Sequence, residues 1–136
     1  MDHDPPSIMI SVAMGEVIDR ITILSIKEDR ITDSLKRPHI LAEKDDLSAT
    51  LDSAIANLPE GVQSTIEALM IAILTVNASL WEVEESLRRS EHRRVFDARF
   101  VWMARCVYLL NDSRAALKRS ISLAAGSLII EEKSYG

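Results

Sequence analysis

Residues 64–94 read STIEALMIAILTVNASLWEVEESLRRSEHRR. Apolar side chains recur at Ile66, Leu69, Met70, Ile73, Val76, Leu80 and Leu87, in steps of three, four and seven. That is the period of one face of an α-helix rather than the alternation of a strand. Ser64 stands three residues before Glu67, a capping-box spacing that predicts the helix start. The helix is the longest element in the chain, and its last turns carry Glu82, Glu84, Glu85 and Glu91 among Arg88, Arg89, Arg93 and Arg94.

The flanking sequence supplies three more helices. Val95, Phe96 and Asp97 break the pattern, and Asp97 is placed to cap a fourth helix running through Phe100, Val107 and Leu117 to Gly126. Upstream, Val17, Ile21, Leu24, Ile31 and Leu35 predict a first helix from Glu16 to Lys36, stopped by Pro38. A second follows from His39 to Asn57, ended by Pro59 and Gly61. Four helices with short links imply an all-α, antiparallel up-and-down bundle over residues 15–126. It is expected to lie between an extended arm at 1–14, closed by Gly15, and an extended tail at 127–136. The 136 residues, 47% hydrophobic and with four glycines, suffice for one core and leave no room for a second domain.

Composition narrows the partners. The opening MDHDPPS is acidic and proline-broken, unlike a secretory signal, and the unbroken apolar runs fall short of the roughly 20 residues of a membrane helix. Cys106 is the only cysteine and reads as a core residue. A bacterial cytoplasmic protein is expected. Residues 1–67 hold 6 basic and 13 acidic side chains, a net −7, and residues 68–136 hold 10 and 8, a net +2. Oppositely charged halves suggest attraction within the chain or across a homodimer, and the overall −5 disfavours double-stranded nucleic acid.

Several polar residues interrupt the apolar stripe of the long helix. An antiparallel hairpin about residues 94–96 sets Glu84 beside Arg105, Asn77 beside Asp112, Trp81 beside Tyr108 and Leu87 beside Trp102. Asn77, Trp81, Glu84, Arg88, Arg105, Tyr108 and Asp112 thus form a candidate buried network, because an unpaired buried carboxylate costs several kcal/mol and an arginine fork relieves it. Either this network fixes helix register or it is a ligand site. In the second case, Glu84 or Asp112 is the candidate general base and Arg88 or Arg105 the anion holder of an enzyme acting on a phosphorylated or sugar-nucleotide substrate.

At the hairpin tip, Arg88, Arg89, Arg93, Arg94 and Arg99 outnumber the acids, which suits a phosphate-bearing small molecule or an acidic protein. The competing reading is a solvated tip with Glu84–Arg88 and Glu85–Arg89 pairs. Other chemistries lack support. The three histidines have no paired ligand spacing, so no metal site is expected, and there is no phosphate-binding glycine loop. Glu82 and Glu85 have the spacing seen in magnesium-dependent helical nucleotide pyrophosphatases. The fourth helix offers only Asp97 and Asp112, about four turns apart, as further ligands.

The segments GEVIDRITIL, LWEVEESLR, FDARF, ARCVYLLNDSRAALK and GSLIIEEKSY together resemble an uncharacterised bacterial family, the domain of unknown function numbered 6165. The resemblance spans residues 15–24 and most of 80–135. It implies a small helical protein of unassigned activity, and no mechanism or cofactor. Its motifs carry many polar residues, among them Glu16, Asp19, Arg114, Lys118 and Glu131. The two ends are the only extended-looking segments, and residues 8–13 and 127–132 are expected to pair as a ribbon. That pairing would gather Glu16, Asp19, Glu131, Lys133 and Tyr135 into a second candidate site.

Overall fold

A computed structural model describes residues 6–126. It contains four helices: α1 (Met14–Arg30), α2 (Arg37–Ala56), α3 (Glu60–Arg93) and α4 (Ala98–Ala124). They form an all-α four-helix bundle, and no strand occurs among the described residues. α1 is the central helix, packed against α2, α3 and α4, while α3 and α4 make the long antiparallel hairpin. Ile18 of α1, Ile66 and Ile73 of α3 and Ile121 of α4 are fully buried where these helices meet, joined by Ile21 and by Leu51 of α2.

Several helix boundaries differ from those expected, each for a local reason. α1 stops at Arg30, six residues early. Asp33 accepts the Leu35 N–H through Oδ1 at 2.9 Å and the Lys36 and Arg37 N–H groups through its carbonyl, which ties the chain into a turn that competes with helix. Pro38 does not end α1 but sits in the first turn of α2, where its missing N–H is no loss. The Arg37 Nη1 donates to the carbonyls of Glu28 (2.5 Å) and Ile31 (3.0 Å), closing the C-terminus of α1.

α3 starts at Glu60, directly after Pro59, so the Ser64–Glu67 capping box does not form; Ser64 Oγ instead bonds the Glu60 carbonyl inside the helix. Asp97 does cap α4, accepting the Phe100 N–H at 3.0 Å. α4 ends at Ala124, and Gly126, with φ at +71°, takes the left-handed conformation that glycine favours after a helix.

Gly15 is not the end of an extended arm. It lies buried in the first turn of α1, and a Cβ placed there would collide with the backbone carbonyl of Lys118. Only glycine allows α1 and α4 to approach this closely. Residues 6–13 are irregular, with Ile8, Met9 and Ile10 exposed. The other half of the expected ribbon, 127–132, lies outside the described residues.

The helices differ greatly in length. α3 has 34 residues and α1 has 17, so α1 covers only part of the hairpin. Arg30, the last residue of α1, pairs with Glu82. Beyond that point, from about residue 83 to 105, no other described element accompanies α3 and α4, and only Met103 there is buried. α3 also contains an 18-residue window of mean hydropathy 1.5, long and apolar enough to cross a membrane by composition. In the fold it is the helix that packs against α1 and α4, with Asn77 hydrogen-bonded at its centre.

Candidate functional site

Two groups of side chains carry the polar chemistry, one where α1 packs on the hairpin and one at the hairpin tip. The first is buried and centred on Asp19, which is 1% exposed. Asp19 shares a face of α1 with Ile18, Ile21 and Thr22, so the helix that supplies the core also carries the carboxylate into it. Arg114 of α4 grips it with a fork, Nε donating to Oδ1 at 2.8 Å and Nη2 to Oδ2 at 2.5 Å. Asn77 of α3 donates from Nδ2 to the same Oδ1 at 2.9 Å and to Thr22 Oγ1 at 2.8 Å. Thr22 in turn donates to the Asp19 carbonyl at 2.7 Å.

One turn away, Lys118 Nζ meets Glu16 Oε2 at 2.5 Å, and the Gly15 N–H donates to Ser122 Oγ at 3.0 Å. Burial pushes the Asp19 carboxyl up. The hydrogen bonds from Arg114 and Asn77, with the charges of Arg114 and Lys118, outweigh burial and hold it below the usual carboxylate range. No side-chain polar atom among the described residues is both buried and unpaired, so the network is fully satisfied. A cleft of about 350 Å³ opens beside it, lined by Glu16, Arg20, Lys27, Glu43 and Arg114 among others. Two of these lining residues, Arg20 and Glu43, pair at 3.2 Å.

The buried network is therefore not the one expected from hairpin register. Asn77 takes part, but it turns to α1 rather than to Asp112. Arg105 and Asp112 are exposed on the outer face of α4, where the Tyr108 hydroxyl lies by Arg105 and holds its guanidinium still more firmly protonated. Glu84 and Trp81 are half-buried in α3. The physical reason is phase. Met103, Val107, Leu110, Arg114, Leu117 and Ile121 recur every three or four residues and form the inward stripe of α4, so Arg114 points at the core and Asp112, two residues earlier, points away. Arg114 is the residue that hairpin register alone misses, and its place on that stripe is the signal that could have found it.

Of the second candidate site, Glu16 and Asp19 join Lys118 and Arg114, while Glu131, Lys133 and Tyr135 lie outside the described residues.

The second group lies at the hairpin tip. Arg89, Arg93 and Arg99 line one cleft of about 190 Å³ with Ser86, Ser90, Val95, Asp97 and Met103. Arg89 Nη2 donates to Ser86 Oγ at 2.9 Å. Arg93 and Arg99 make no ion pair among the described residues. The other two tip arginines are engaged elsewhere, Arg88 with Glu85 at 3.5 Å and Arg94 with Glu91 at 3.6 Å. Arg94 terminates α3 in the left-handed conformation, φ 56°, which turns the chain sharply enough to set the cap Asp97 and Arg99 against the last turn of α3.

The carboxylates considered as magnesium ligands are dispersed. Glu82 pairs with Arg30, Glu85 with Arg88, and Asp97 caps α4. No cluster of three metal-ligating side chains occurs among the described residues. Comparison with protein-family models, with curated proteins and with solved structures finds no match for this chain.

Proposed function

We propose that the chain is a binding module that takes a phosphate-bearing molecule in the cleft at its hairpin tip. The observation that carries this reading is the convergence of Arg89, Arg93 and Arg99 on one cleft, none of them with a carboxylate partner among the described residues. Guanidinium forks match phosphate oxygens in pairs, and Ser86 and Ser90 add hydroxyl donors. A volume of about 190 Å³ suits a phosphate or diphosphate group better than a protein surface.

A catalytic role draws less support. Asp19, the one fully buried carboxylate among the described residues, has both oxygens engaged and its pKa lowered, the reverse of what a general base near neutral pH needs. The Asp19 network is read as structural, fixing α1 against α3 and α4.

A thermal-shift titration with pyrophosphate and with ADP, each with and without magnesium, tests the proposal. A ligand at about 100 times its dissociation constant stabilises the fold by about 2.7 kcal/mol, which is readily seen. Stabilisation that disappears in Arg93→Ala and Arg99→Ala supports the tip cleft. No shift with either probe at millimolar concentration sinks it.

A further inference from the structure

Among the described residues, nothing covers the outer face of α4. Val101, Trp102, Tyr108 and Leu109 are 55%, 65%, 51% and 54% exposed, and with Arg105 and Asp112 they form one continuous stripe turned away from the core. A helix in a finished bundle has one apolar stripe, facing inward; α4 has that stripe and a second one opposite it. Contiguous exposed apolar surface of this kind marks an interaction face.

We propose that this face is covered by the same face of a second copy of the chain, packed antiparallel about a two-fold axis. The two charges on the stripe choose the occupant and the register. Arg105 and Asp112 have opposite sign, lie two helical turns apart, and Asp112 makes no ion pair among the described residues. Antiparallel packing that sets Arg105 level with the partner's Asp112 makes the pair twice, because a two-fold axis repeats every contact. The same register sets Tyr108 level with the partner's Leu109 at the centre. It brings Val101 level with the partner's Ala116, both exposed, so that a branched side chain meets a small one. Charge, centre and bulk are all satisfied by one alignment, which a chance apolar surface would not provide. The face lies on the opposite side of α4 from its core stripe, so dimerisation leaves the Asp19 network untouched.

Sedimentation equilibrium on the full chain tests the proposal. We expect a dimer whose dissociation constant rises about tenfold or more in Arg105→Glu and in Asp112→Arg, since each change sets two like-charge pairs face to face. The double variant R105E/D112R, which exchanges the charges, is expected to return to within about threefold of the original. Because both side chains are exposed, all three variants keep the thermal stability of the monomer, and Trp102→Lys provides a second probe of the same face. A chain that stays monomeric to about 100 μM, a regime in which even weak dimers form, overturns the proposal. So does a dimer indifferent to these variants, or one that the charge exchange fails to restore. A monomer that cosediments with anionic phospholipid vesicles through Trp102 would assign the face to a lipid surface instead.

Discussion

The two ends of the α3–α4 hairpin treat charge in opposite ways. Where α1 lies against the hairpin, the charged groups drawn inward are answered: Asp19 by Arg114 and Asn77, Lys118 by Glu16. Past Arg30 the hairpin continues without a third helix among the described residues, and its arginines stand exposed around a cleft. Satisfied, buried polar groups specify how helices align, and exposed unsatisfied ones leave affinity for something else. The contrast sets a satisfied, buried network against the tip cleft proposed to bind an anion, and it can be broken by experiment.

The largest effect is expected at the buried end. Arg114→Ala removes the fork and leaves Asp19 ionised and buried, a change that costs about 3–5 kcal/mol in comparable sites. Chemical denaturation measures it. The double variant Asp19→Ala/Arg114→Ala should be less destabilised than the sum of the singles, since the second deletion removes the stranded charge. A cost below about 1 kcal/mol for Arg114→Ala would dissolve the distinction between the ends, because exposed pairs already contribute that much.

Gly15→Ala comes next. The added Cβ meets the Lys118 backbone, which cannot swing aside as a side chain would, so α1 and α4 must part. Overpacking of this kind costs about 1–3 kcal/mol. A lowered melting temperature with an unchanged denaturant slope is the expected signature.

The sign of the pH dependence follows from the same network. Asp19 has a folded pKa below its unfolded value of about 3.8, so on acidification the unfolded chain binds the proton first. The stabilisation is fully present above that value and is lost as pH falls toward and through the lower folded pKa. Denaturation between about pH 5 and 2 should therefore show stability falling with acid, and the slope should shrink in Asp19→Asn. An unchanged slope would mean that other carboxylates carry the acid response.

How legible these ends were in the sequence differs for a physical reason. The stripe of α3 was plain, because Ile66, Ile73, Asn77 and Leu80 keep helical phase against polar neighbours, and all four are buried. α4 is apolar on two sides, so its pattern has no single phase, and the hairpin register alone placed Arg105 and Asp112 inward when they face out. The overrun of α1 has a similar origin. Ile31 and Leu35 continue its spacing, but the Asp33 turn intervenes and Leu35 is exposed. The arginines at the tip were legible as a group from composition; that Arg89, Arg93 and Arg99 share a cleft depends on the left-handed turn at Arg94, which no local sequence pattern announced.

The smallest expected effect lies at the boundary between the two regions, where Arg30 of α1 pairs with Glu82 of α3. By position this pair resembles Arg114 and Asp19, since each links α1 to the hairpin. By environment it does not, because the two side chains are 46% and 54% exposed and water competes for both. An exposed ion pair contributes about 0–1 kcal/mol, and salt screens it further. A double-mutant cycle with Arg30→Ala and Glu82→Ala should give a coupling inside that range, vanishing in about 1 M salt, where the screening length falls to about 3 Å. A coupling as large as that of Arg114 with Asp19 would show that α1 holds the hairpin as firmly at its open end as at its core. The projecting tip would then be a continuation of the rigid bundle, and its arginines would be held at fixed spacing for a ligand. A coupling near zero leaves the tip hinged where α1 stops, with the cleft free to adjust as an anion enters.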